Sequence, residues 1–417
     1  MAVIALLVFG ACRQVYEEPT PQEQHEKLYV TFSIAGSEAK ETRAVPNAPN
    51  GTEADGDYES SYKSVDVMFF ETEGNRDLVV LKGKRLFHFD ATGFTPPTDE
   101  KSNWVGGVYE RAGNRRGVYL IDVTRNLVKG KTCVVVLNLP EHIRQRVQTG
   151  NISTLNGLKG AAARILTSAD EQLGPKPYPK KTNGTPDYNS SSFQHIIMIG
   201  ETPGISFPTT DLKPVVNVKV ERTIAKVKIV GVFDEKSALG QLTGFGSPDI
   251  TMRFQYKNFP SHTHLGSFWV EKGKKPLDLR PVDAADYVER KGGLHGIGKK
   301  AYFVHNFYMN EYGVLPDNAT EKPYIVFSGT FVLGTLRVTK YWSLGLPHGM
   351  QRNKSYTIYV DFKGNGSDSP EGYTEETLKV TNILVEPWEN GVENFSPREF
   401  YNFNNFIGNP KNNDDAI

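Results

Sequence analysis

The run from Val216 to Val230 limits the possible folds of this chain more than any other stretch. Val216, Val218 and Val220 alternate with Asn217, Lys219 and Glu221, and the run continues through Arg222, Thr223, Ile224, Ala225, Lys226, Val227, Lys228, Ile229 and Val230. A period of two puts apolar side chains on one face of an extended chain and polar ones on the other, so this stretch is a strand with one face against a core. Leu28 to Ile34 shows the same pattern, with Leu28, Val30, Phe32 and Ile34 on one face and Thr31 and Ser33 on the other. Further strand candidates are Val65 to Phe70, Leu78 to Leu81, Leu86 to Phe89, Val118 to Val123, Phe193 to Ile199, Met252 to Tyr256, Ser267 to Val270 and Ala301 to Val304. Tyr324 to Leu333, Leu336 to Leu344, Tyr356 to Phe362 and Leu378 to Val385 complete them. Glycine at 39, proline at 25 and aromatics at 11% supply the turns and side chains that such strands use. The expected fold is mainly β, with two β-sandwich domains of transthyretin-like, Greek-key type and a few short helices.

Cys133 to Leu139 is continuously apolar at its start, as a strand covered on both faces would be, and Cys133 reads as an inert core residue. Pro140 opens a helix over Glu141 to Gln148, at a position where its missing N–H costs nothing. Leu158, Ala161, Ala162, Ile165 and Leu166 have helical spacing within Leu155 to Leu166, so a second helix is expected there. Both read as lids on a sheet. Gly174 to Ser192, with Pro175, Pro177, Pro179 and Pro186, has neither period and reads as a long loop. A chain of 417 residues holds about two or three domains. The expected divisions are 1–11, 12–43, 44–205, 206–394 and 395–417, with the main boundary near 200 to 213, ahead of Pro214. No internal repeat of fixed period is visible.

The N-terminus carries its own signals. Met1 to Ala11 is apolar and ends Leu7, Val8, Phe9, Gly10, Ala11, the small residues that a bacterial lipoprotein signal peptidase requires before a cysteine it leaves as the new terminus. Residues 1–11 therefore read as a lipoprotein signal peptide and Cys12 as the lipidated residue; the competing reading is a buried terminal element with an incidental cysteine. The run has no Lys or Arg and is short, which implies a translation start upstream of Met1. Residues 12–43 read as a propeptide. Arg43 follows a polar segment, and Ala44 to Tyr62 is rich in Pro, Asn, Gly, Asp and Ser, an exposed linker open to proteases. A cut between Arg43 and Ala44 would release the lipid and the strand of Leu28 to Ile34 together.

Lys plus Arg and Asp plus Glu both number 48, so no bulk charge draws the chain to nucleic acid or to an anionic membrane. Two cysteines give no disulfide framework once Cys12 carries lipid. Beyond the terminal run no segment reaches the roughly 18 apolar residues that span a bilayer, so membrane attachment is through the lipid alone. No metal, cofactor or catalytic residue is expected. His262 and His264 would share a face if extended, but without a Cys, Asp or Glu beside them they read as surface histidines in a loop. Gly364 to Asp368 and Asp55 to Asp57 lack the spacing of a calcium loop and read as turns. Gly292, Gly293, Leu294, His295 and Gly296 lack the context of a phosphate loop and read as a plain loop. No Gly-x-Ser-x-Gly, His-Glu-x-x-His or P-loop occurs, and nothing in the chain requires an enzyme.

Val218 to Val227, Val-Lys-Val-Glu-Arg-Thr-Ile-Ala-Lys-Val, resembles the strand that opens the second domain of the fimbrillins, subunits of the type V pili of Bacteroidia. Tyr302 to Asn306, Pro323 to Phe327, Tyr341 with Trp342, Arg352 to Tyr356, and Val385 to Trp388 follow in that family's order. The resemblance implies a precursor carried to the outer membrane as a lipoprotein on Cys12, cut by an arginine-specific protease between Arg43 and Ala44. The strand containing Leu28, Val30, Phe32 and Ile34 would leave, and an extended segment of a neighbouring subunit would fill its place. Partners would be other fimbrial subunits, the protease, and host or bacterial surface receptors; the location would be the outer membrane and then the extracellular fimbrium.

The donor would most naturally be the tail, where Phe400, Tyr401, Phe403 and Phe406 are interleaved with polar residues. Tyr401 and Phe403 share one face of an extended chain while Phe400 and Phe406 take the other, so docking of the tail on its own domain is an equal reading. The alternative for the whole chain is a monomeric surface lipoprotein binding glycans on Trp269, Trp342 and Trp388, although Trp388 also reads as a core plug.

Overall fold

The computed structural model describes residues 27–35, 62–71, 83–90, 108–111, 115–121, 123–164, 195–208, 214–233, 251–260, 262–267, 281–282, 288–291, 295–297, 300–313, 323–333, 335–347, 349–362, 366–370 and 378–387. In chain order these form β1 (Lys27–Ile34), β2 (Ser64–Phe70), β3 (Phe87–Asp90), β4 (Val108–Arg111), β5 (Arg115–Ile121), α1 (Arg125–Val128), β6 (Thr132–Leu137), α2 (Glu141–Gln148), α3 (Leu155–Lys159), β7 (Ala162–Arg164), β8 (Met198–Thr202) and β9 (Val215–Arg222). There follow β10 (Ile224–Phe233), β11 (Thr251–Lys257), β12 (Phe259–Pro260), β13 (His262–His264), β14 (Pro281–Val282), β15 (Val288–Lys291) and β16 (His295–Ile297). The last are β17 (Lys300–Asn310), β18 (Tyr324–Leu333), β19 (Leu336–Gly345), β20 (Lys354–Phe362) and β21 (Leu378–Pro387). The fold is mainly β, in several sheets.

The first sheet has the order β3-β2-β6-β8-β9-β1-β5-β4. It bends on itself between β8 and β9, which pair only at Met198 with Arg222 and Ile199 with Glu221. Gly200 sits at this bend, where any Cβ would run into the Lys219 carbonyl. Val67 of β2 and Val135 of β6 consequently share one core with Val30 of β1, Val118 of β5 and Val218 of β9. On the other face of β2 and β6, Met68, Phe70, Val134 and Val136 share a second core with Ile143 and Val147 of α2 and Leu155 and Leu158 of α3. Coverage on both faces is why Cys133 to Leu137 has no polar alternation. Cys133 is wholly buried, and burial pushes its thiol pKa up.

The second body is a sandwich. A five-stranded sheet, β16-β17-β10-β20-β21, faces a four-stranded one, β15-β11-β18-β19. Val227, Ile229, Phe307 and Ile358 from the first sheet meet Tyr256, Ile325, Phe327 and Trp342 from the second in one core. Within it Phe362 packs edge-on to Phe327 at 5.6 Å and to Trp342 at 5.4 Å between ring centroids. Trp342 is a core residue and therefore no sugar platform. Val380, Ile383, Leu384 and Val385 on the edge strand β21 are exposed.

The change from the first sheet to the second falls at Thr223, between β9 and β10, rather than in the stretch before Pro214. The two bodies also meet elsewhere: β13 pairs with β7, and Leu265 enters the core beneath α2 and α3.

Several sequence expectations change. The second helix stops at Lys159, and Ala162 to Arg164 become β7 because pairing with β13 outweighs the helical spacing. His262 to His264 is that partner strand and not a loop; Thr263 between them is buried and donates to the Thr223 carbonyl at 2.8 Å. His295 and Gly296 lie in β16, paired with β17. The strand expected from Phe193 begins at Met198, since Ile196 and Ile197 are buried in irregular backbone. Their carbonyls are taken there by Asn138 Nδ2 at 2.7 Å and by the Thr223 amide at 3.0 Å. Leu78 to Leu81, Gly174 to Ser192, Trp269 and Trp388 lie outside the described residues.

Candidate functional site

β1 is an interior strand. It runs antiparallel to β5, with Leu28 opposite Leu120 and Val30 opposite Val118, and parallel to β9, with Val30 opposite Val216 and Ile34 opposite Val220. Among the described residues, β5 and β4 join the rest of the sheet through it alone. A strand so placed fills a slot in which both backbone edges are used, so removing it exposes unpaired N–H and C=O groups on two neighbours at once.

The side chains set the same constraint from within. Leu28, Val30, Phe32 and Ile34 are all buried in the folded sheet's core. At about 1.5–3 kcal/mol for each buried side chain, the row contributes on the order of 10 kcal/mol gross, comparable to the whole stability of a typical domain. Vacating the slot without replacement would therefore open the core. On the inner face Phe32 packs edge-on against Tyr62 with centroids 5.6 Å apart; on the outer face Tyr29 lies 6.2 Å from Tyr119, and Thr31 donates its hydroxyl to Asn217.

The slot has defined ends. At one, the Tyr29 amide donates to the Pro214 carbonyl at 2.9 Å. At the other, the Ala35 amide donates to the Val220 carbonyl at 2.8 Å, and Arg222 Nη1 donates to the Ala35 carbonyl at 2.7 Å. Arg222 has no exposed surface. The signal for it was present in the sequence: Val216, Val218, Val220 and Arg222 occupy successive inward positions, so the alternation places a guanidinium on the buried face, where it must be supplied with acceptors. A second acceptor comes from the other sandwich, where Asn353 Oδ1 lies 3.3 Å from Arg222 Nη1. Asn353 is held in the left-handed region at φ 54°, with its amide on the Ile224 carbonyl at 2.9 Å.

Of the residues singled out in the sequence, the four of β1 are thus brought together in one row. Cys12, Arg43 and Ala44, and the tail residues Phe400, Tyr401, Phe403 and Phe406, lie outside the described residues. Among the described residues no cluster of three His, Cys, Asp or Glu side chains is placed to hold a metal ion.

No family model and no curated protein matches the chain. Solved structures similar to it include a fimbrilin of Porphyromonas gingivalis, at 13% identity and a TM-score of 0.48 over 88% of this chain and 99% of that one. A candidate cell adhesion protein of Bacteroides eggerthii matches at 13% identity and a TM-score of 0.48, over 87% of this chain and 97% of that one. The tip fimbrial protein Mfa3 of Porphyromonas gingivalis, truncated at its C-terminus, matches at 14% identity and a TM-score of 0.40, over 87% and 100%.

Proposed function

We propose that this chain is a structural or adhesive subunit of a cell-surface fimbrium. It is exported as an outer-membrane lipoprotein on Cys12, cut between Arg43 and Ala44, and assembled by exchange of β1 for a strand of a neighbouring subunit. The observation that carries the reading is the seating of β1: an apolar row in an interior slot, joined to the rest of the chain on its C-terminal side by the segment that holds Arg43. One cut there leaves β1 held by noncovalent contacts alone. An extended segment of another subunit supplies what the slot requires, a ladder on both edges and alternate apolar side chains. The partners on this reading are other fimbrial subunits, an arginine-specific protease and surface receptors of host or bacterial cells.

The exposed Val380, Ile383, Leu384 and Val385 of β21 favour a second use of the tail. Residues 395–417 follow that strand closely, and their aromatics would cover it on the same subunit, as suits an accessory or tip component. Mass analysis and N-terminal sequencing of protein from sheared surface fibres test the main reading: the subunit is expected to begin at Ala44. Arg43→Ala should keep the lipid-bearing form uncut and outside the fibre, and normal incorporation of that variant sinks the mechanism.

A further inference from the structure

We infer that Arg222 is the end stop of the β1 slot, selecting strands that reach far enough to bring a backbone carbonyl to its guanidinium. The inference rests on the strand-exchange reading. A period-two strand that slips by one residue turns its apolar row outward, but a slip by two keeps every apolar side chain inward and most of the ladder intact. Side-chain alternation alone therefore does not fix how far along the slot a strand reaches, and a buried donor at the end of the slot does.

Arg222 is the group at that end. It is wholly buried and donates to the Ala35 carbonyl, just past the last apolar residue of the row. Its position is set from two sides, by β9, which runs beside β1, and by Asn353 of the second sandwich. An incoming strand in register presents a backbone carbonyl at the place of Ala35. A strand that ends short of that place leaves a buried guanidinium without that acceptor. A backbone carbonyl carries no sequence information and recurs with the same orientation every second residue, so the stop reads how far the strand reaches and leaves the choice of side chains to the pockets of Leu28, Val30, Phe32 and Ile34. Because Asn353 shares the guanidinium, both sandwiches take part in checking the strand.

The test uses the full chain with a specific protease site inserted within residues 44 to 57, cut, and exchanged against synthetic strands. One peptide is Lys27 to Ala35 as its C-terminal amide. The other is Lys27 to Ile34 as its isopropylamide, which keeps the N–H, Cα and Cβ of position 35 and replaces its carbonyl by a methyl group. The cut wild-type protein is expected to bind the first about tenfold more tightly, the scale of a hydrogen bond to a charged group. Arg222→Met should bind the two alike. Equal affinities in the wild-type protein overturn the inference and leave strand exchange standing, and this comparison decides the matter even if the variant fails to fold. Entry of neither peptide overturns strand exchange and the end stop together.

Discussion

Asp66 shows what a single inward polar residue requires of its surroundings. It lies on the α2 side of β2, with no exposed surface, and Arg144 of α2 donates Nε to its Oδ1 at 3.0 Å and Nη2 to its Oδ2 at 3.2 Å. His88 Nδ1 is 2.9 Å from Oδ1, and Arg144 also reaches the Leu139 carbonyl at 3.0 Å. Burial holds the Asp66 carboxyl above its ordinary value of 3.8, against the downward pull of Arg144 and His88. With the folded value raised, the group contributes most below the unfolded value, and that contribution is lost as pH rises through the folded value. Arg144→Met removes the main counter-charge and should destabilise the protein by about 3–5 kcal/mol near neutral pH, with the loss shrinking on acidification as Asp66 takes up a proton. Urea unfolding of wild type and variant across that range measures it; a loss independent of pH would show that packing of the arginine stem, and not the charge, is what matters. Asp66 was legible as an inward position, since it shares a face with Met68 and Phe70, but Arg144 is 78 residues away and no local pattern names it.

The element that depends most on backbone geometry is the bend between β8 and β9. It turns the first sheet onto itself and so sets the β1 slot above β2 and β6. Gly200→Ala would force a methyl group against the Lys219 carbonyl, and backbone cannot swing aside as a side-chain tip does. The expected cost is about 3 kcal/mol or more, at the upper end for overpacking, seen as a lowered thermal midpoint or loss of soluble protein. An unchanged midpoint would mean that the bend relaxes freely. At this scale the sequence reading was strongest for long alternating runs: Val216 to Val230 forms β9 and β10, broken only at Thr223. It was weakest for Leu155 to Leu166, where helical spacing was real but five residues became helix and the chain then joined a strand from the far half of the molecule.

At the scale of the whole molecule, the segment 262–267 joins the two bodies. Arg352 of the second sandwich donates Nε to Glu311 at 2.7 Å and its other nitrogens to the carbonyls of His264, Leu265 and Gly266 at 2.7–2.8 Å. The same loop donates the Leu265 amide to the Ala161 carbonyl at 3.1 Å and the Gly266 amide to the Lys159 carbonyl at 2.8 Å. Arg352 and Glu311 are both buried, so removing the arginine leaves a buried carboxylate without this counter-charge and three carbonyls without this donor. Arg352→Ala should cost about 3–5 kcal/mol and loosen the loop from the first body. Calorimetry is expected to resolve two transitions where the wild type gives one; a single, equally cooperative transition would show that the clamp does not couple the bodies. Deletion of 395–417 tests the tail at the same scale: greater binding of a hydrophobic dye by the isolated subunit indicates that the tail covers β21, and no change indicates a tail free for donation.

The sequence by itself marked the long alternating strands and which of their faces are buried, because alternation with period two is a local property that survives any tertiary arrangement. It marked the apolar row of Leu28, Val30, Phe32 and Ile34, and it put Arg222 on an inward face. Only the tertiary structure decided that β1 lies between β5 and β9, parallel to one and antiparallel to the other, and that Arg222 meets the carbonyl of Ala35, 187 residues away. The physical reason is that every backbone carries the same donors and acceptors, so pairing and register depend on the packing of the whole sheet and leave little trace within any one strand.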